Sequence, residues 1–280
     1  MKILIDSGAT KSDCILLTDN KKYIHHFTCR GINANYCDDN YIFDVLDYFQ
    51  KEIRSKTAEI ISDIAYYGAG CGNAENAQRI ATLLSKVFPN IYTKVGSDLL
   101  GMCRLLSPGK AGMIAILGTG ASACLFNGEE IVRQAPSLGY LLGDEGSGTY
   151  IGKLFIISYF RKELPNEIFA DFEQEFQLTA TQILHKIYQE KSPNLFFASL
   201  SPFIAAHQKN IFIQDLLDRA FNDFFEKQIL FFDDYRDYSL SIAGSVAFHF
   251  AESIKKNAHR YGVTMGNLTA SPLIYYQQSS

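Results

Sequence analysis

The apolar run Ile3-Leu4-Ile5 stops at Asp6 and gives way to Ser7-Gly8-Ala9-Thr10-Lys11. Cys14 to Leu17 is apolar again and turns at Asp19-Asn20. Short apolar runs bounded by glycine and hydroxyl residues predict strands joined by tight turns. The same order of features returns further along. Met113 to Leu117 breaks into Gly118-Thr119-Gly120-Ala121-Ser122, Ala123 to Phe126 follows, and the hairpin dipeptide Asn127-Gly128 leads to a third apolar run around Ile131 and Val132. A plan that starts at Ile3 and again at Ile114 is too widely spaced for a solenoid repeat. It predicts two halves built alike, each opening with a hairpin whose turn faces the other half across a cleft.

Between the hairpins the period alternates. Ile42, Val45, Leu46, Phe49 and Ile53 make a helical stripe within Tyr41 to Lys56, Asp63 to Tyr67 reads as a strand, and Ala74 to Val87 as a helix capped by Asn73. Ile91 to Val95 is a further strand, after which Gly96-Ser97-Asp98 leads into a helix through Leu105. Strand and helix in alternation predict an α/β layered fold, in which ligands gather beyond the carboxyl ends of strands, where Asp98 falls. The second half reads as more helical. Thr149 to Leu164, Glu167 to Gln189 and Asn194 to Gln208 carry helical spacing, and Ile211 to Phe232 reads as one long amphipathic helix. Tyr238, Leu240 and Ile242 alternate as a strand that breaks at Gly244-Ser245, before a helix from Val246 to Tyr261; Pro272 stands where a last short helix would begin.

Two glycine clusters carry the candidate chemistry. Gly118, Gly120 and Ala123 match the dinucleotide pattern G-x-G-x-x-A, but that pattern needs a helix next, and here a second strand follows. A glycine and hydroxyl turn between strands instead offers bare backbone N–H groups to a phosphate. Gly143-Asp144-Glu145-Gly146-Ser147-Gly148 sets two carboxylates among glycines before a helix, where they either meet a substrate or favour the helix start. Gly244-Ser245, at a strand-to-helix joint, either packs closely or admits part of a nucleotide. Asp6 is suited to hold magnesium through water, and Lys11 either balances phosphate charge or is solvated. Asp98 is either the base that takes a proton from an attacking hydroxyl or a helix cap.

Composition narrows the partners. Of 280 residues, 47% are hydrophobic and 20% charged, so each half can bury a core. A net charge of −4 without a basic run argues against nucleic acid. No apolar stretch has the length to span a bilayer and the start is too short for a signal core, so no membrane partner and a cytoplasmic location are expected. The six cysteines, Cys14, Cys29, Cys37, Cys71, Cys103 and Cys124, lack C-x-x-C spacing, so buried thiols rather than a disulfide frame or an iron–sulfur site are expected.

Asp6-Ser7-Gly8-Ala9-Thr10-Lys11 resembles the first phosphate loop, and Leu117-Gly118-Thr119-Gly120 the second, of the actin-like superfamily of sugar kinases, heat-shock ATPases and actin. Within it, Gly139-Tyr140-Leu141-Leu142-Gly143-Asp144-Glu145-Gly146-Ser147 resembles the signature of the N-acetylglucosamine kinase branch, which is grouped with BadF/BadG-type ATPases. The resemblance implies two ribonuclease H-like domains with an interdomain cleft, residues 1–110 and 111–267, the first completed by the C-terminal segment 268–280. It implies Asp98 as the catalytic aspartate and a sugar contact, joined by Asn35, Ser137, Leu138, Gly139 and Asp144. ATP is expected at Asp6, Gly8, Thr10, Lys11, Gly118, Thr119, Gly120, Gly244 and Ser245, with Mg2+ at Asp6. Ala121 departs from the serine usual in the family after Gly-Thr-Gly. The implied reaction is transfer of the γ-phosphoryl group of ATP to the 6-hydroxyl of N-acetylglucosamine or a related amino sugar. The partners are then a small-molecule amino sugar and, at most, a second copy of the chain in a homodimer. The alternatives are a BadF-type ATPase module that energises a partner enzyme, or a non-catalytic sugar sensor on the same fold.

Overall fold

Strand β1 (Lys2–Ser7) buries every second residue: Ile3, Ile5 and Ser7 face inward, while Lys2, Leu4 and Asp6 are partly exposed. The computed structural model describes residues 1–20 and 22–271 and divides into two units, residues 1–108 and 109–270. In the first, β1, β2 (Lys11–Leu17) and β3 (Tyr23–Arg30) form an antiparallel meander, with Asp6 opposite Asp13 across the β1–β2 pair. Helix α1 (Asp39–Lys56) leads to β4 (Asp63–Gly68), α2 (Ala74–Val87) to β5 (Tyr92–Ser97), and α3 (Asp98–Leu106) closes the unit. The sheet order is β3-β2-β1-β4-β5, with β4 parallel to β1 and β5 parallel to β4. Ile3 and Ile5 join Ile64, Tyr66 and the apolar stripes of α1 and α2 in one core. Helix α3 lies closest where Gly101 meets the ring of Tyr67: a Cβ added there would stand 2.7 Å from Tyr67 Cγ. Because β1, β4 and β5 run parallel, their carboxyl ends share one edge, and Asp6, Gly68 and Asp98 are set at that edge.

The second unit repeats the plan. Strands β6 (Gly112–Leu117), β7 (Ala121–Phe126) and β8 (Ile131–Gln134) form the meander. A helical insertion follows, comprising α4 (Gly139–Leu142), α5 (Gly148–Phe160), α6 (Asn166–Phe176), α7 (Ala180–Tyr188), α8 (Pro193–Ser199), α9 (Ser201–Ala206) and α10 (Ile211–Phe224). Strand β9 (Leu240–Ala243), α11 (Ser245–His249), α12 (Ala251–Tyr261) and β10 (Met265–Thr269) complete the unit. The order β10-β9-β6-β7-β8, with β9 parallel to β6 and β10 parallel to β9, mirrors that of the first sheet. Two like α/β sheets are the fold that the repeated hairpin predicts.

Packing overrides the pattern at three places. The stripe from Ile211 to Phe232 does not make one helix: after α10 the turn widens to a π-helical segment, Phe225–Ile229, in which Leu230 N–H reaches back to Phe225 O. There Phe225 stacks on Tyr261 with ring centroids 5.8 Å apart. The helix expected over Val246 to Tyr261 breaks at Phe250, which is buried against Phe221. Strand β10 was not expected, because Met265-Gly266-Asn267-Leu268-Thr269 alternates poorly; pairing with β9 makes it a strand. Leu268 and Thr269 therefore lie in the second sheet, and 272–280, the rest of the expected completing segment, lies outside the described residues.

Candidate active site

In the first unit the site begins at the β1–β2 turn. Gly8 N–H donates to Lys11 O at 2.9 Å, and Gly31 N–H to Thr10 O at 3.0 Å. Gly31 must be glycine, since a Cβ would lie 2.4 Å from Gly8 O and 2.6 Å from Lys11 N. Ser7 Oγ meets Ser12 Oγ at 2.6 Å and accepts from Ile32 N–H at 3.0 Å, so the turn is pinned to the loop after β3. Asp6 and Asp13 share one face of the β1–β2 pair. Burial, then the neighbouring charges of Asp98 and Asp13, push the Asp6 carboxyl up to about 8, against the pull of Lys11. Lys11 Nζ pairs with Asp13 Oδ2 at 2.9 Å, and His26 Nε2 lies 2.7 Å from Asp13 Oδ1.

Asp98 opens α3 without capping it. Ser97 is the cap, its Oγ accepting from Leu100 N–H at 3.1 Å. Asp98 Oδ1 accepts from Leu99 N–H at 2.8 Å, and burial raises its carboxyl above the usual range while the backbone N–H groups hold it down. The reading of Asp98 as the helix cap is thus corrected: serine one position earlier takes the cap position and the Leu100 N–H, while Asp98, already inside the helix, accepts from the Leu99 N–H. Asn35 lies exposed on the loop between β3 and α1, its Oδ1 accepting from Asn76 Nδ2 at 2.7 Å.

In the second unit the two glycine clusters are stitched together. Gly148 N–H donates to Gly118 O at 2.8 Å, and Thr149 Oγ1 to Thr119 O at 2.6 Å. Asp144 holds a left-handed backbone with φ 58°, unusual for a residue with a Cβ. Its Oδ1 accepts from Ala121 N–H at 3.2 Å, and a Cβ on Gly120 would stand 3.2 Å from its Oδ2. Burial raises the Asp144 carboxyl, the Ala121 N–H lowers it, Glu145 raises it and Lys153 lowers it. Gly244, with φ 121°, abuts the same turn: its Cβ would lie 2.1 Å from Leu117 O. Ser147 caps α5 by accepting from Tyr150 N–H at 3.1 Å, and Glu145 Oε2 accepts from Gln228 Nε2 at 3.1 Å. Ser137 to Gly139 run into α4, and Gly143 N–H closes back on Gly139 O at 2.8 Å, which sets Leu138, exposed, near the turn of Asp144.

Within the second unit, then, Gly118 to Gly120, Asp144, Gly244 and Ser245 converge, and within the first, Asp6, the β1–β2 turn and Asp98 share an edge. Asp13, Asn76 and Arg79 were not singled out from sequence. For Asp13 a signal existed, a carboxylate inside an apolar strand and therefore buried at 3% exposure. Among the described residues no group of three or more His, Cys, Asp or Glu is arranged to hold a metal by itself, and no helix is long and apolar enough to cross a membrane.

No protein-family model matches the chain, and no curated protein does. Among solved structures the chain is similar to a protein of Porphyromonas gingivalis provisionally named an N-acetylglucosamine kinase. The two share 35% identity over 100% of this chain and 99% of that chain, with a TM-score of 0.93. A Chromobacterium violaceum protein with the same provisional name matches at 14% identity, covering 99% and 97%, with a TM-score of 0.75. A ROK family glucokinase of Streptomyces griseus, solved with glucose and AMPPNP, matches at 12% identity over 99% of each chain, with a TM-score of 0.59. The last two likenesses carry the fold alone.

Proposed function

Because the chain belongs to the N-acetylglucosamine kinase family of actin-like sugar kinases, we propose that it transfers the γ-phosphoryl group of ATP to the 6-hydroxyl of N-acetylglucosamine or a related amino sugar. The observation that carries the reading is the placement of Asp98. It stands at the first position of α3, at the shared carboxyl edge of β1, β4 and β5, with helix capping left to Ser97 and a carboxyl raised by burial. A raised carboxyl is a stronger base once ionised, which suits it to take the proton of a sugar hydroxyl as the oxygen–phosphorus bond forms. The bond from the γ-phosphorus to its bridging oxygen breaks in the same step, leaving ADP.

Other residues of this chain position and neutralise. The turns Gly8 to Lys11 and Gly118 to Gly120, with Thr10 and Thr119 within them, are assigned to the phosphates; Gly8 N–H and Gly118 N–H close the turns themselves, on Lys11 O and Gly120 O. Gly244 and Ser245 are assigned to the adenosine side. Asn35, Ser137 to Gly139 and Asp144 are assigned to the sugar. The carboxylates fit a magnesium ion: Asp6 is raised to about 8 partly by Asp98 and Asp13, so a cation there relieves a repulsion already built into the fold. Magnesium binds through one or two carboxylates, water and phosphates rather than a full protein cage, and would supply neutralisation of phosphate charge at Asp6. A coupled ADP-release assay over a panel of sugars tests the reading. ADP release that depends on an amino sugar supports it; release indifferent to every sugar favours an ATPase module acting on a partner.

A further inference from the structure

In the first unit, the loop that carries Asn35 is held from several sides. Ala34 N–H donates to Ala69 O at 3.0 Å, and Asn35 N–H to Asn33 Oδ1 at 3.0 Å. Arg79 on α2 donates to Ala34 O at 2.9 Å, to Cys37 O at 2.7 Å and to Asp39 Oδ1 at 2.6 Å. Gly70, with φ 80°, lets the loop sit on its backbone, since a Cβ there would stand 2.9 Å from Asn35 N. The backbone under Asn35 is therefore fixed, while its side chain is exposed.

The hydrogen bonds also fix which way its amide points. Asn76, half-buried in the first turn of α2, donates from Nδ2 to Gly70 O at 2.9 Å and to Asn35 Oδ1 at 2.7 Å. A backbone carbonyl only accepts, so the Asn76 atom that meets Gly70 is the nitrogen. An amide nitrogen only donates, so the Asn35 atom that meets it is the oxygen. The Asn35 Nδ2 is then the atom on the side away from Asn76. Turning the Asn35 amide over would set two donors against each other and forfeit the bond.

We propose that Asn76 is a positioning residue that commits Asn35 to act toward the sugar as a hydrogen-bond donor, selecting a sugar oxygen that accepts over a group that only donates. This rests on the assignment of Asn35 to the sugar. The test compares Asn76→Asp with Asn76→Ala in the full-length protein, reading kcat and the KM values for N-acetylglucosamine and ATP, together with the melting temperature. Asn76→Asp keeps size but offers only acceptors, so the Asn35 amide turns over and presents its oxygen to the sugar, while a carboxylate oxygen also faces Gly70 O, a repulsion that the melting temperature reads. Asn76→Ala removes the director and leaves the Asn35 amide able to take either orientation. The expected result is a rise of at least about tenfold in the sugar KM for Asn76→Asp, the scale of one misdirected hydrogen bond. That rise exceeds the one in Asn76→Ala, and the ATP KM stays at the parent value in both. For a purely structural Asn76, the loss in either variant follows the melting temperature and reaches kcat and the ATP KM as well as the sugar KM. That pattern, or a sugar KM in Asn76→Asp within about twofold of the parent, overturns the proposal. Asn35→Ala with a parent-like sugar KM, or a parent without sugar-dependent turnover, overturns the underlying assignment and this proposal with it.

Discussion

Gly244→Ala and Gly118→Ala make a matched pair, because the two glycines meet at one turn for different reasons. At Gly244 the backbone holds φ 121°, and an added Cβ would lie 2.1 Å from Leu117 O and 2.6 Å from Leu117 C, both backbone atoms that no rotamer change can move. The strained backbone costs about 1–3 kcal/mol and the collision about 1–3 kcal/mol more, so the loss is roughly 2–6 kcal/mol. At Gly118 a Cβ would meet nothing within 4 Å, so stability should stay within about 0.5 kcal/mol of the parent. That open space is where the proposed phosphate approaches, so Gly118→Ala should raise the KM for ATP while leaving the fold intact. Thermal unfolding reads the first effect, a fall of at least roughly 4 °C for a domain of this size, and steady-state kinetics the second. A Gly244→Ala protein that melts with the parent refutes the close backbone approach. A Gly118→Ala protein with the parent KM for ATP refutes the assignment of that turn.

Further outcomes follow from the carboxylates and caps. The Asp6 carboxyl is pushed up to about 8 from an ordinary value of 3.8, so its contribution to stability is full below about pH 4 and is lost as pH rises toward 8. Without divalent ions, the melting temperature of the parent should therefore fall between pH 5 and 8.5 more than that of Asp6→Asn; equal falls would show that the Asp6 carboxyl is not raised by its burial and its neighbours. Ser97→Ala should cost about 1 kcal/mol through loss of the α3 cap, read in denaturant midpoints, whereas Asp98→Asn should leave the midpoint near that of the parent.

The strands were legible because each is a short apolar run closed by glycine or a polar turn, as at Ile3 to Ile5 and Met113 to Leu117. The repeated hairpin carries the common plan of the two sheets in the sequence itself. What joins the two glycine clusters was not legible, since Gly148 to Gly118 and Thr149 to Thr119 are long-range bonds to backbone oxygens that carry no side-chain signature. Asp98 was legible as a candidate, but the division of the helix start between it and Ser97 was not, because serine and aspartate are equally good caps in a sequence. Asn76 and Arg79 read as ordinary polar positions on a helix. Their role lies in the loop they reach, which only the packing of α2 against that loop reveals. Phe250 and the segment Phe225–Ile229 read as helix interior, and burial of their rings decided otherwise.

Single-turnover transfer from γ-labelled ATP, with the parent and Asp98→Asn compared in the presence and absence of N-acetylglucosamine, addresses the kinase assignment most directly. Product is resolved into sugar phosphate and free phosphate, and the ester position is read by phosphorus NMR. The expected result is label on the sugar 6-oxygen with the parent, and a transfer step slowed roughly 10²- to 10⁴-fold in Asp98→Asn with ATP still bound and melting unchanged, the range for loss of a general base. Label that goes to water alike with and without sugar, or an Asp98→Asn rate within a few-fold of the parent, would contradict it.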